Sequence, residues 1–228
     1  MAVTLVGGAA NAAVINVTTS AASPQAGLGI ATSSTTGADM DGMRVTATFL
    51  DGSTDLGIWG TPGATSGAAV GGGGLFNLSV PNNTFFAKWT LTNTYSSLLT
   101  SLVINAGSVA VVFDIIASPA TTPGSSGGRA FTDATAGLLG TINVQYVKPV
   151  NILPNSALGD LYSMIRVDFT GLNAGGISTN TQYKFTAETD NLDLAILIGT
   201  PVPAALPLML ASLAGLAWMG HRRKALAD

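Results

Sequence analysis

The chain has 228 residues, no cysteine and a formal net charge of −3, from nine Lys and Arg against 12 Asp and Glu. Without thiols there is no disulfide, no thiol nucleophile and no cysteine metal site, so stability must come from burial and hydrogen bonding. The mildly acidic balance lacks the basic patch that nucleic acid demands. Only 9% of the residues are charged, yet Val, Ile, Leu and Phe recur in alternating runs, which points to one well-buried β domain with no interior linker rather than to disorder.

Residues 1–13 (MAVTLVGGAANAA) look like the back half of a secretory signal. Ala10-Asn11-Ala12 is an A-x-A cleavage pattern behind a short apolar stretch, although no basic n-region precedes it. The other reading is a first strand; the signal remnant is preferred, which makes 1–12 a leader remnant and 13–199 the exported domain. Strands are expected at 14–18 and at 43–49, where Met43, Val45, Ala47 and Phe49 alternate with Arg44, Thr46 and Thr48. Asp51-Gly52 supplies the turn residues of a hairpin whose return strand is 54–59. Further strands are read at 75–80, at 85–92 (Phe85, Ala87, Trp89 and Leu91 inward), around Leu102, Ile104 and Ala106, and at 109–116, where Asp114 interrupts an apolar run. Others fall at 142–147, 162–169, 183–187 and 192–198. Residues 25–39, 60–74 and 118–129 read as loops, the Gly71–Gly74 run as a flexible connection, and 134–139 as the one helical candidate. About ten short strands between turn residues predict an all-β, antiparallel β-sandwich, for which a jelly roll is one fitting arrangement.

The last 29 residues break this pattern. Ala204 to Gly220 is a run of 17 residues without a charge, which as a helix spans about 25 Å, at the short end of what crosses a bilayer. Arg222, Arg223 and Lys224 follow at once, and by the positive-inside rule they remain in the cytoplasm while the body faces outward. Pro201-Val202-Pro203-Ala204 precedes the run; its two prolines hold the backbone extended and keep the juxtamembrane segment out of the helix. A core helix should carry a polar face, and Ser212 is the only hydroxyl in this run, so one C-terminal transmembrane helix is expected.

Motif, apolar helix and basic cluster in that order resemble the C-terminal sorting tail of PEP-CTERM proteins, in the variant written V-P-x-P-A, with Thr200 in place of the leading Val and Val202 in place of the Glu of the Pro-Glu-Pro form. The resemblance covers 200–228. It implies processing near the motif by an exosortase-type membrane enzyme, transit through the inner membrane, and residence at the cell surface or in an exopolysaccharide biofilm matrix. Residues 37–53 and 185–192 also look like segments common in exported domains attached to such tails; no activity follows from them.

Chemistry in the body is sparse. The only histidine, His221, sits in the basic flank of the tail, so a Ser-His-Asp triad is excluded, and the protein is expected not to be an enzyme. Two alternatives stay open. Glu188, Asp190, Asn191 and Asp193 offer oxygen ligands for Ca²⁺ within six residues, which would suit a Ca-dependent carbohydrate-binding or adhesive module with Trp59, Trp89 and Tyr95 as candidate stacking platforms. The same acids, with Asp160 and Asp168, could form the paired carboxylates of a glycosidase-like enzyme.

Overall fold

The computed structural model describes residues 13–19, 32–107, 109–115, 127–135, 138–153 and 156–192. The protein is all-β. Its strands are β1 (Val14–Thr19), β2 (Thr32–Ser34), β3 (Arg44–Phe49), β4 (Thr54–Gly60), β5 (Gly67–Gly71), β6 (Phe76–Val80), β7 (Trp89–Asn93), β8 (Leu99–Asn105) and β9 (Val111–Asp114), then β10 (Thr132–Asp133), β11 (Thr141–Leu153), β12 (Ser156–Asp168), β13 (Gln182–Thr186) and β14 (Thr189–Leu192). All belong to one sheet in the order β10-β13-β7-β6-β5-β4-β3-β8-β12-β9-β14-β2, with β11 on the other edge of β12 and β1 beyond it. Every pairing is antiparallel except the parallel β1–β11 pair, which departs from the wholly antiparallel expectation.

The sheet curls until its ends meet. β13 stands near one end of the path and β14 near the other, yet only Ala187 and Glu188 separate them in the chain. Three fully buried threonines stitch this corner: Thr35 Oγ1 donates to the Thr189 carbonyl (2.6 Å), and the Thr189 N–H donates to Thr84 Oγ1 (3.1 Å). The Thr189 carbonyl also accepts the Thr35 backbone N–H (3.3 Å), so the hydroxyls add to the backbone bonds that satisfy this buried corner.

Alternation decides which face is inside. Val45, Ala47 and Phe49 of β3, Leu102 and Ile104 of β8, Ile142, Val144 and Tyr146 of β11, and Ile165 and Val167 of β12 all enter one core. At its centre Trp59 lies 5.3 Å from Trp89, which stacks on Phe185 at 5.8 Å. Each buried aromatic of this kind contributes roughly 2–3 kcal/mol from area alone.

Several expected elements differ. The strand over 85–92 shrinks to β7, because Phe85–Lys88 is turned by Asn83: its side chain accepts from the Phe85 N–H (2.8 Å) and its carbonyl from Ala87 (2.8 Å). Local Asx chemistry there overrides apolar spacing, and Phe86 is left 78% exposed. Residues 25–39 contain β2 and a one-turn 3₁₀ helix, Gly37–Met40. None of the described residues within 134–139 is helical; Ala134 instead donates to Lys184 O (2.9 Å), continuing along β13. β14 begins three residues before the expected 192–198 run, whose remainder from 193 lies outside the described residues.

The loop over 60–74 is also corrected, since it contains β5. Its glycine run is an ordered turn held by the carboxylate of Asp55, which accepts from the N–H groups of Gly73 and Leu75 at 2.9 Å each. Gly71 has no room for a side chain because a Cβ there would overlap that carboxylate. Charge-assisted hydrogen bonds contribute about 1.5–3 kcal/mol apiece; with one of the two at a turn open to solvent, Asp55→Ala should lower stability by roughly 2–3 kcal/mol, read as the urea midpoint of the full-length protein.

Candidate functional site

The sorting motif, Pro201, Val202, Pro203 and Ala204, and the basic cluster, Arg222, Arg223 and Lys224, lie outside the described residues, as do the leader remnant 1–12 and Asp193. Among the described residues no helix is long and apolar enough to cross a membrane. Two constellations of polar side chains remain in the body.

The first is an acidic corner where the sheet closes. Glu188 and Asp190 are buried to 1% and 0% exposure, and Asp114 at the end of β9 is as deeply buried. Residue 129 bridges them through its backbone, donating its N–H to Asp114 O (3.1 Å) and accepting from the Glu188 N–H (3.0 Å). The Arg129 guanidinium donates to the Phe85 carbonyl (2.8 Å) and lies over the Phe85 ring. Among the described residues neither oxygen of Glu188 has a hydrogen-bond partner. Burial, reinforced by the charges of Asp190 and Asp114, pushes the Glu188 carboxyl up to about 8, against a weaker pull from Arg129.

As a calcium site the set of four is divided. Period two along β14 puts Asn191 on the opposite face from Asp190, and Asp190 already accepts from Thr32 Oγ1 (2.8 Å). Among the described residues no three His, Asp or Glu side chains group so as to hold a metal ion. Asp114 is the member that sequence reasoning missed, and its signal was a carboxylate inside an apolar strand. The glycosidase pairing is dispersed as well: Asp168 faces outward, its Oδ1 accepting from Thr170 N–H (2.8 Å), while Asp160 is fully buried. Neither of the two cavities lined wholly by described residues borders Glu188, Asp190 or Asp160.

Two of the three candidate stacking platforms are core residues, Trp89 as its inward alternation already indicates. Trp59 and Trp89 are buried, with their indole N–H groups given to Gly37 O and Ala187 O at 2.8 Å. Tyr95 is half-buried against Phe49, and its hydroxyl donates to Asp51 (2.9 Å).

The second constellation is a trough of about 430 Å³ on the outer face of β1, β11, β12 and β8. Ladder register aligns its side chains in two rows. One runs Asn16, Asn143, Asp168, Ser101; the other runs Thr18, Gln145, Arg166, Val103. Asn16 Nδ2 donates to Asn143 Oδ1 at 3.2 Å.

Fold and site together define an all-β domain on a single curled, almost wholly antiparallel sheet, with buried acids at its closure and a polar trough outside. No protein-family model matches the chain, and no curated protein or solved structure does either.

Proposed function

We propose that this is an exported, non-enzymatic surface or matrix protein, a β-sandwich body delivered and processed through an exosortase-type C-terminal tail. The observation that carries the reading is the order within 200–228: a double-proline motif, 17 uncharged residues and three consecutive cations. A helix is the one way a lone segment crosses a bilayer with its backbone paired, and the cations then fix its orientation. The body suits the role: it is an all-β domain. A calcium-dependent adhesive version has less behind it, because Asn191 and Asp190 face opposite ways. The glycosidase version asks substrate to reach Glu188, Asp190 and Asp160, which are buried.

Intact mass of the protein released into culture medium tests this. The released form is expected to end near Pro201–Ala204, lacking Trp218 and Arg222, whereas the membrane fraction retains them. Released protein that still carries both residues sinks the sorting model.

A further inference from the structure

Among the described residues the trough gathers the planar hydrogen-bonding groups of Asn16, Asn143, Gln145, Arg166 and Asp168 on one stretch of the outer face. Four neighbouring strands stand about 4.8 Å apart, and the two rows put Asn143 opposite Asp168 and Gln145 opposite Arg166. Each amide offers donors and an acceptor in one plane, the carboxylate accepts, and the guanidinium donates through a rigid fork. The Arg166 guanidinium is exposed and makes no hydrogen bond or ion pair among the described residues.

Charge decides what such a surface can hold. Arg166 and Asp168 are two residues apart on the same face of β12, so the trough has one cation and one anion, and their fields largely cancel. A phosphate or sulfate would meet Asp168, and a cation would meet Arg166. A protein partner would want an apolar centre, but only the Val103 side chain supplies one here. Lining from sheet strands alone leaves the trough open, so a ligand lies across it rather than being enclosed.

We propose that this trough is a binding site for a neutral polysaccharide, whose paired hydroxyls each donate and accept and so match the alternating amides, guanidinium and carboxylate, with sugar C–H groups over Val103. The inference rests on the body alone and does not need the tail reading. Weak individual contacts repeated along a polymer give useful retention even without aromatic stacking.

The test is affinity electrophoresis of the full-length protein, solubilised in a zwitterionic detergent that carries no sugar headgroup. Gels contain hydroxyethyl cellulose, dextran or galactomannan as neutral polymers, and alginate as an anionic one. At least one neutral polymer is expected to retard the protein, and Gln145→Ala with Arg166→Ala should weaken that retardation about tenfold or more, the loss of one charge-assisted and one neutral hydrogen bond. Lys88→Ala, in the exposed turn before β7, should leave it unchanged. The proposal is overturned by failure of all three neutral polymers, by retardation that the double variant retains, or by binding to alginate alone that salt abolishes. It is equally overturned if the trough mediates self-association, seen as a sedimentation shift that the double variant removes while no polymer binds.

Discussion

Full-length protein should lose stability as pH rises from about 5 to about 8, and Glu188→Gln should remove most of that loss. In the unfolded chain this carboxyl ionises near 4.5, whereas in the folded protein its pKa is pushed up to about 8. Between those values the unfolded state has released a proton that the native state still holds, so each added unit of pH favours unfolding. Stability is therefore fullest below 4.5, falls through the interval and levels off above 8. At about 1.4 kcal/mol per unit, the whole fall between 4.5 and about 8 is at most about 5 kcal/mol. Asp133, raised by burial, adds to the slope, whereas Asp51, lowered by hydrogen bonds from Ser53, pulls the other way at the acid end.

Subtracting the variant from the parent isolates Glu188. At pH 5 glutamine and glutamic acid are both neutral and should differ by less than about 1 kcal/mol, because the variant keeps the shape and burial. At pH 8.5 the variant should be more stable by about 3–4 kcal/mol, since it no longer places a third negative charge beside Asp114 and Asp190. Chelator-washed parent should melt identically with and without millimolar calcium at pH 6, because below about 8 a proton already neutralises Glu188. A difference between parent and variant that does not change with pH would show the carboxylate ionised and compensated in the native state, and calcium-dependent melting lost in Glu188→Gln would identify the compensating ion.

The strands at 43–49, 54–59, 142–147 and 162–169 were legible because each exposes one face and buries the other, and period two records that in the residues themselves. What no strand records is its partner. Asn16 faces Asn143 and Gln145 faces Arg166 only because β1 pairs in parallel with β11 and β12 pairs with β11; the four side chains come from three separate strands, so the trough has no local signature. Closure of the sheet was hidden for the same reason, since Thr35, Thr84 and Thr189 meet across three segments. Residues 188–191 fall between the strands expected at 183–187 and 192–198, whereas β14 begins at Thr189 and both Glu188 and Asp190 are buried. The expectation for the tail draws on no tertiary structure, because a membrane helix would need only length, apolarity and flanking charge, and 200–228 lies outside the described residues.

Gly67→Ala should cost the fold about 3–5 kcal/mol, although β5 looks like the least consequential strand in the sheet. Gly67 has no unusual φ, so its constraint is space. A Cβ there would overlap both the Gly37 carbonyl oxygen and Trp59 Nε1, the two atoms joined by the 2.8 Å indole hydrogen bond. Neither can retreat. Gly37 is itself closed in, since a Cβ on it would meet Gly67 N and Val80 O, and Trp59 is held against Trp89 in the core. The variant must therefore strain the contact between the 3₁₀ helix and β5, or break a buried indole bond, or both, and the roughly 0.4–1 kcal/mol that alanine gains by stiffening the unfolded chain does not offset this. Gly60 is the internal control: at the end of β4 it has nothing within 4 Å of a built Cβ, so Gly60→Ala should be neutral or stabilise by up to about 1 kcal/mol. Urea titration of the full-length protein followed by tryptophan emission reads both, and Gly67→Ala should also shift the native emission as the indole loses its acceptor. A Gly67→Ala midpoint indistinguishable from that of Gly60→Ala would mean that the 3₁₀ helix is not seated on β5, and with it the packing of Trp59 would have to be redrawn.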